Sequence, residues 1–149
     1  MLSQTAEYAL RAVLYLAEHC GTEAQPMRVD EIAGDLGIPA NYLSKTLQTL
    51  AKERVLRSVR GPRGGFCLAR APEQITLYDV IAPYGDLDAD RKCLLGRPEC
   101  SDRNPCPAHH AWKQTSDQLA GFFRTTTVAD VRRTGVPETT RTTTPRRSA

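Results

Sequence analysis

At 149 residues, 40% apolar and 25% charged, the chain can build one small domain with an appendage, which excludes a large multidomain enzyme. The net charge of +3 is small but unevenly spread. Residues 39–70 carry seven basic side chains against the single acid Glu53, and residues 132–149 carry five arginines against one glutamate, so an acidic body lies between two basic zones. The longest apolar run, Ala12 to Ala17, falls far short of the roughly 20 residues a membrane span needs. No basic leader precedes an apolar block, so the expected location is the cytoplasm. Five cysteines in a reducing compartment point to metal ligands or reactive thiols rather than a disulfide framework.

From Leu2 to about Glu18, Leu2, Ala6, Ala9, Leu10, Val13, Leu14 and Ala17 recur at helical spacing and predict a first helix with one buried face. Val29 to Leu36 predicts a short second helix with Ile32, Ala33 and Leu36 on one side, ended by Gly37-Ile38-Pro39. The third, about Ala40 to Glu53, separates its faces cleanly. Leu43, Leu47 and Leu50 fall on one side; Asn41, Ser44, Lys45, Gln48 and Lys52 fall on the other. Val55 to Arg60 and Phe66 to Arg70 read as short strands joined by Gly61-Pro62-Arg63-Gly64-Gly65. Two close helices and a basic hairpin form a winged helix-turn-helix plan.

Thr76 with Asp79 resembles a capping box opening a further helix, which Pro83 to Gly85 stops. Asp86 to Pro107 is a loop of about twenty residues, a length that is generally functional or disordered in a compact domain. From Ala108 to Phe123 a last helix carries Trp112, Thr115, Leu119, Phe122 and Phe123 in one stripe that needs a partner. Beyond Val131 the chain is Thr, Arg and Pro with few apolar groups, the composition of a disordered tail.

A helix fits the major groove of double-stranded DNA, so Asn41, Tyr42, Ser44, Lys45 and Gln48 form the expected groove face. Arg60 and Arg63 flank the hairpin tip, where a guanidinium reaches phosphates or the narrow minor groove. A phosphate-cradling enzyme loop is the rival use of Gly61 to Gly65. It fails on its own terms: no Lys-Ser or Lys-Thr follows, and Pro62 removes a needed amide.

Cys93, Cys100 and Cys106 lie within fourteen residues, separated by six and then five. Thiolates are soft anionic donors for iron-sulfur clusters, zinc and cuprous copper. Zinc ribbons use closer pairs, so this wider spacing suits a larger object such as a cluster, with one position left for a carboxylate or imidazole. A zinc site of the three cysteines with His109, or a thiol-disulfide switch, are the alternatives. Cys20 and Cys67 read as ordinary half-buried side chains, and His110 as solvent-facing. A nucleophile-base pair of Cys106 with His109 or His110 lacks an orienting partner, so no enzyme is expected.

The segment Thr5-Ala-Glu-Tyr-Ala-Leu-Arg-Ala-Val-Leu-Tyr-Leu-Ala17, the wing Val59-Arg-Gly-Pro-Arg-Gly-Gly-Phe66 and the three-cysteine loop followed by His109 and Trp112 resemble the Rrf-two family of bacterial transcription regulators, over about residues 1–131. That family includes the iron-sulfur sensors of the IscR and NsrR branches. The resemblance implies a homodimer of winged-helix subunits joined through a long C-terminal helix, binding a near-palindromic operator, most often as a repressor. It implies one cluster per subunit, [2Fe-2S] or [4Fe-4S], on Cys93, Cys100 and Cys106. For the fourth ligand, His109 stands where the IscR branch places a histidine. Glu7 stands where the NsrR branch has an acidic ligand supplied by the partner subunit. Arg60 matches the wing arginine of the IscR branch, but Ser44 replaces its base-reading glutamate, so that branch's operator preference does not transfer. The expected fold is mainly α with a small β-hairpin wing: residues 1–82 the DNA-binding domain, 83–107 the cysteine loop, 108–131 the dimerisation helix and following segment, and 132–149 the basic tail.

Overall fold

The computed structural model describes residues 2–20, 25–85, 87 and 92–132. Helices α1 (Gln4–His19), α2 (Val29–Leu36) and α3 (Ala40–Lys52) are followed by strands β1 (Leu56–Val59) and β2 (Gly65–Leu68). A 3-10 turn (Pro72–Gln74), α4 (Leu77–Ile81) and a second 3-10 turn (Ala82–Tyr84) come next, then α5 (His109–Thr125) and α6 (Val128–Arg132). The mainly helical plan with one hairpin is the one expected; β1 is one residue shorter at each end, while β2 begins one residue earlier and ends two residues earlier than expected. The basic tail lies outside the described residues except for Arg132.

Helix α1 is the hub. Ala6, Ala9, Ala12, Val13, Tyr15, Leu16 and Ala17 are all buried, more than the single stripe expected, because α2, α3, α4, α6 and β2 all pack on it. Leu10 and Leu14, assigned to the core from periodicity, are only partly buried. Two polar links fix α2: Arg11 Nη2 donates to Leu36 O at 2.6 Å, and the Tyr15 hydroxyl donates to Asp35. Burial and then Asp35 push the Tyr15 phenol up to about 12, so that bond persists throughout the neutral range.

The helix-turn-helix is set by backbone chemistry. Gly37 closes α2 at φ 65°, a left-handed conformation that glycine adopts without a Cβ penalty. Ile38 N then donates to Ala33 O at 3.0 Å, and α3 starts immediately after Pro39. Leu43, Leu47 and Leu50 are fully buried, as their spacing predicts, and the Tyr84 hydroxyl donates to Thr46 O at 2.8 Å from behind.

The hairpin pairs Leu56 with Leu68 and Val59 with Gly65, antiparallel. A turn at Gly61-Pro62-Arg63-Gly64, closed by Gly64 N to Gly61 O at 2.9 Å, forms its tip. A third segment joins it: Met27 N donates to Phe66 O at 2.9 Å, and Phe66 N to Met27 O at 2.8 Å. This anchor stands on Gly65, where a Cβ would overlap the Met27 carbonyl oxygen.

Thr76 caps α4 as expected, accepting from Asp79 N at 3.1 Å while Asp79 accepts from Thr76 N at 3.0 Å. Helix α5 ends by pairing with this same corner. Leu77 N donates to Thr126 O at 2.9 Å and Val128 N to Ile75 O at 2.8 Å, which lays α6 on α1. The expected apolar stripe of α5 therefore divides. Phe123 and Ala120 are buried at the far end, where α5 meets α4, while Leu119 and Phe122 remain 47% and 51% exposed. Thr115 is also exposed. Cys20 and Cys67 are fully buried rather than half-buried. Among the described residues no helix is long and apolar enough to cross a membrane.

Candidate nucleic-acid interface and metal centre

Helix α3 and the wing present a continuous polar face. Asn41, Lys45 and Gln48 are exposed and Ser44 is half-buried, while Arg60 and Arg63 are exposed at the hairpin tip. Ser44, Gln48, Ser58, Gly61, Pro62 and Gly64 line a cleft of about 510 Å³ between the helix and the wing. Arg28, exposed at the start of α2, closes one side of it. Sequence reasoning missed Arg28 because it lies outside the basic window; only the Met27 to Phe66 bridge carries it to the wing. Tyr42 differs from its neighbours. Its ring packs edge-on against Tyr8 with centroids 5.6 Å apart, and its hydroxyl is hydrogen-bonded to Thr5, so it braces α3 against α1. Asn41 Oδ1 accepts from Tyr42 N at 2.9 Å.

The cysteine loop contains no regular element between Tyr84 and His109 among the described residues, and it is strapped to the first turns of α5. Trp112 Nε1 donates to Lys92 O at 3.0 Å. Lys113 Nζ donates to both carboxylate oxygens of Asp102, at 3.0 and 2.7 Å. His109 N donates to Cys106 O at 2.9 Å. Arg97 Nη1 reaches Asn104 O at 3.1 Å and closes the loop on itself.

These straps bring the donors together in two pairs, one of two thiols and one of a thiol with an imidazole. Cys93 and Cys106 are both buried, with their sulfurs 3.9 Å apart. Cys100 Sγ lies 3.4 Å from His109 Nδ1. No group of three or more His, Cys, Asp or Glu converges on a single point among the described residues. The Cys93 thiol is held below its ordinary range, first by the Arg97 backbone amide and then by the Leu95 amide and Cys106. His109 is only 3% exposed, and its Nε2 stands 2.7 Å from Asp102 Oδ1. Lys113, and after it His109, holds the Asp102 carboxyl down at about 2. Asp102 and Lys113 were not among the expected site residues. Glu7 sits exposed in the first turn of α1. His110 is exposed, as expected.

The donor spacings bear on two kinds of metal site. Two thiolates on one tetrahedral metal, each about 2.3 Å from it, lie about 3.8 Å apart, and a thiolate with an imidazole about 3.6 Å. The observed 3.9 and 3.4 Å are close to those spans. One four-ligand metal would need all four donors around a single point, which they do not surround. Two ligand pairs, three of the four donors soft sulfur, are the donor chemistry that an iron-sulfur cluster would take.

Residues 2–134 match the model of the Rrf2 (Rrf-two) family, described as an iron-dependent transcriptional regulator. A chain of Aquifex aeolicus (strain VF5) described as an HTH-type transcriptional regulator is 41% identical over 133 residues, covering 88% of this chain and 90% of its own. The HTH-type transcriptional regulator IscR of Escherichia coli O1:K1 / APEC is 31% identical over 130 residues, 87% and 78% of the two chains. Among solved structures, CymR (YrzC) of B. subtilis superposes with a TM-score of 0.76 at 21% identity, over 91% of this chain and 98% of its own. T. potens IscR superposes with a TM-score of 0.70 at 23% identity, over 90% and 87%. These relatives are regulators rather than enzymes, and the last two share the fold. By its family match, its identity to these regulators and its winged helix-turn-helix, the chain belongs to the Rrf2 family and is a DNA-binding transcriptional regulator.

Proposed function

We propose that the protein is an iron-sulfur-dependent repressor whose DNA affinity follows the state of a cluster held by Cys93, Cys100, Cys106 and His109. The observation that carries this is the pairing of donors at 3.9 and 3.4 Å on a loop strapped to α5. When bound, the group would supply reversible one-electron chemistry and sensitivity to oxidants, nitric oxide and iron supply. The protein's own part is transmission. The straps through Trp112 and Lys113 make the loop and the start of α5 one unit; the far end of α5 packs on α4, α6 packs on α1, and α1 supports α3. A coupling of about 1–3 kcal/mol along that route changes operator occupancy several-fold or more.

His109 is favoured over Glu7 as the fourth ligand because it is buried beside Cys100 and already oriented by Asp102. Leu119 and Phe122, one turn apart and exposed on α5, support a homodimer formed through this helix. Asn41, Ser44 and Gln48 read the major groove, while Lys45, Arg60, Arg63 and Arg28 contact phosphate.

Purification without air from lysis onward tests the cofactor. The expected content is about two iron and two sulfide per chain with zinc well below one. Stoichiometric zinc without sulfide overturns the cluster reading. Lys45→Ala and Arg60→Ala are each expected to reduce the slope of log affinity against log salt by about 1. An unchanged slope removes that residue from the footprint.

The Cys93–Cys106 pair also favours a second reading, a thiol switch in which peroxide takes two electrons and two protons from the thiols, forming one S–S bond and two waters. Mass loss of two hydrogens on peroxide treatment of iron-free protein, with a matching change in DNA affinity, would select it.

A further inference from the structure

Resting on the cluster reading above, we infer that Asp102 is a positioning residue that fixes the ring of His109 in the one tautomer able to ligate through Nδ1. Three observations meet here. Asp102 Oδ1 lies 2.7 Å from His109 Nε2, and both carboxylate oxygens accept from Lys113 Nζ, so the ion-paired carboxylate is an acceptor only. The hydrogen in that bond therefore sits on Nε2. In the neutral imidazole this leaves Nδ1 with a free lone pair, and Nδ1 is the nitrogen that faces Cys100 Sγ at 3.4 Å.

Asp102 is itself located by the same helix. His109 and Lys113 are one turn apart on α5 and both grip its carboxylate, so an exposed loop residue sets the ring of a buried one. The arrangement is the carboxylate-histidine pairing that commonly stands behind a metal-bound imidazole. Lys113 also decides what a replacement does. In Asp102→Asn the lysine keeps the side-chain oxygen, turning the amide NH2 toward Nε2. The ring must then accept at Nε2 and carry its hydrogen on Nδ1, which blocks ligation.

Long-range 1H–15N correlation spectra of the iron-free full-length protein read the tautomer directly. The expected result is an Nε2–H ring in the wild type and in Asp102→Glu, and an Nδ1–H ring in Asp102→Asn. An unchanged ring in Asp102→Asn overturns the inference, whatever metal the protein carries. Anaerobic reconstitution then gives the consequence: Asp102→Asn retains iron about 10–100-fold more weakly, while the double variant Asp102→Asn/His109→Cys retains it as well as His109→Cys alone, since a thiolate needs no tautomer. Equal weakening in both Asp102→Asn backgrounds makes Asp102 a loop-folding residue and overturns the positioning role. Absence of iron and sulfide from the wild type, with the tautomer change still present, rejects the cluster reading while leaving the orienting role of Asp102 intact.

Discussion

Gly65→Ala is expected to detach the wing and lower stability by roughly 2–4 kcal/mol. At φ 153° the residue sits in backbone space that a side chain rarely adopts, and the added Cβ would overlap the Met27 carbonyl oxygen and lie 3.0 Å from Arg28 N. Those are backbone atoms and cannot swing aside as a flexible side chain would. Relief requires breaking the reciprocal Met27–Phe66 hydrogen bonds, the link that carries Arg28 to the wing. A two-stranded hairpin alone is marginal in water. The variant should therefore unfold at lower denaturant concentration and bind DNA with a flatter salt dependence. The opposite control is Gly34→Ala, whose Cβ meets nothing within 4 Å in the interior of α2. It should stabilise the helix slightly, by about 0.5–1 kcal/mol.

His109→Ala is expected to weaken cluster retention about tenfold or more, whereas Glu7→Ala leaves it unchanged. The alanine deletes the partner of Cys100, opens a hole at a 3%-exposed position, and leaves Asp102 bound to Lys113 alone. Glu7 is exposed in the first turn of α1. Iron and sulfide analysis of the two variants, together with the visible absorption of the anaerobic protein, separates them. Loss in Glu7→Ala with retention in His109→Ala would place the fourth ligand on the partner's first helix instead.

The parts of the molecule legible in the sequence are those decided locally. The three leucines of α3, the left-handed glycine before Pro39, the hairpin turn and the Thr76–Asp79 box each depend on neighbours a few residues away. What depends on distant segments was only partly readable. The second buried face of α1, with Ala12, Tyr15 and Leu16, exists because five elements surround that helix. The α5 stripe divides because the Thr126–Leu77 and Val128–Ile75 bonds draw Phe123 inward and leave Phe122 outside. In the cysteine loop the residue types were readable but the pairing was not, since Cys93 meets Cys106 across thirteen positions. Asp102 carries no local signal at all. Its meaning comes from where α5 begins.

The proposed cluster control requires that the chemical state of this loop alter binding at α3 and the wing. Its most direct test is the affinity, at one fixed salt concentration, for a duplex selected from a random-sequence pool, comparing anaerobic protein of measured iron content with the Cys93→Ser/Cys100→Ser/Cys106→Ser variant. A difference of about fivefold or more between the two is expected. Equal affinities, with iron and sulfide present only in the first, would contradict it.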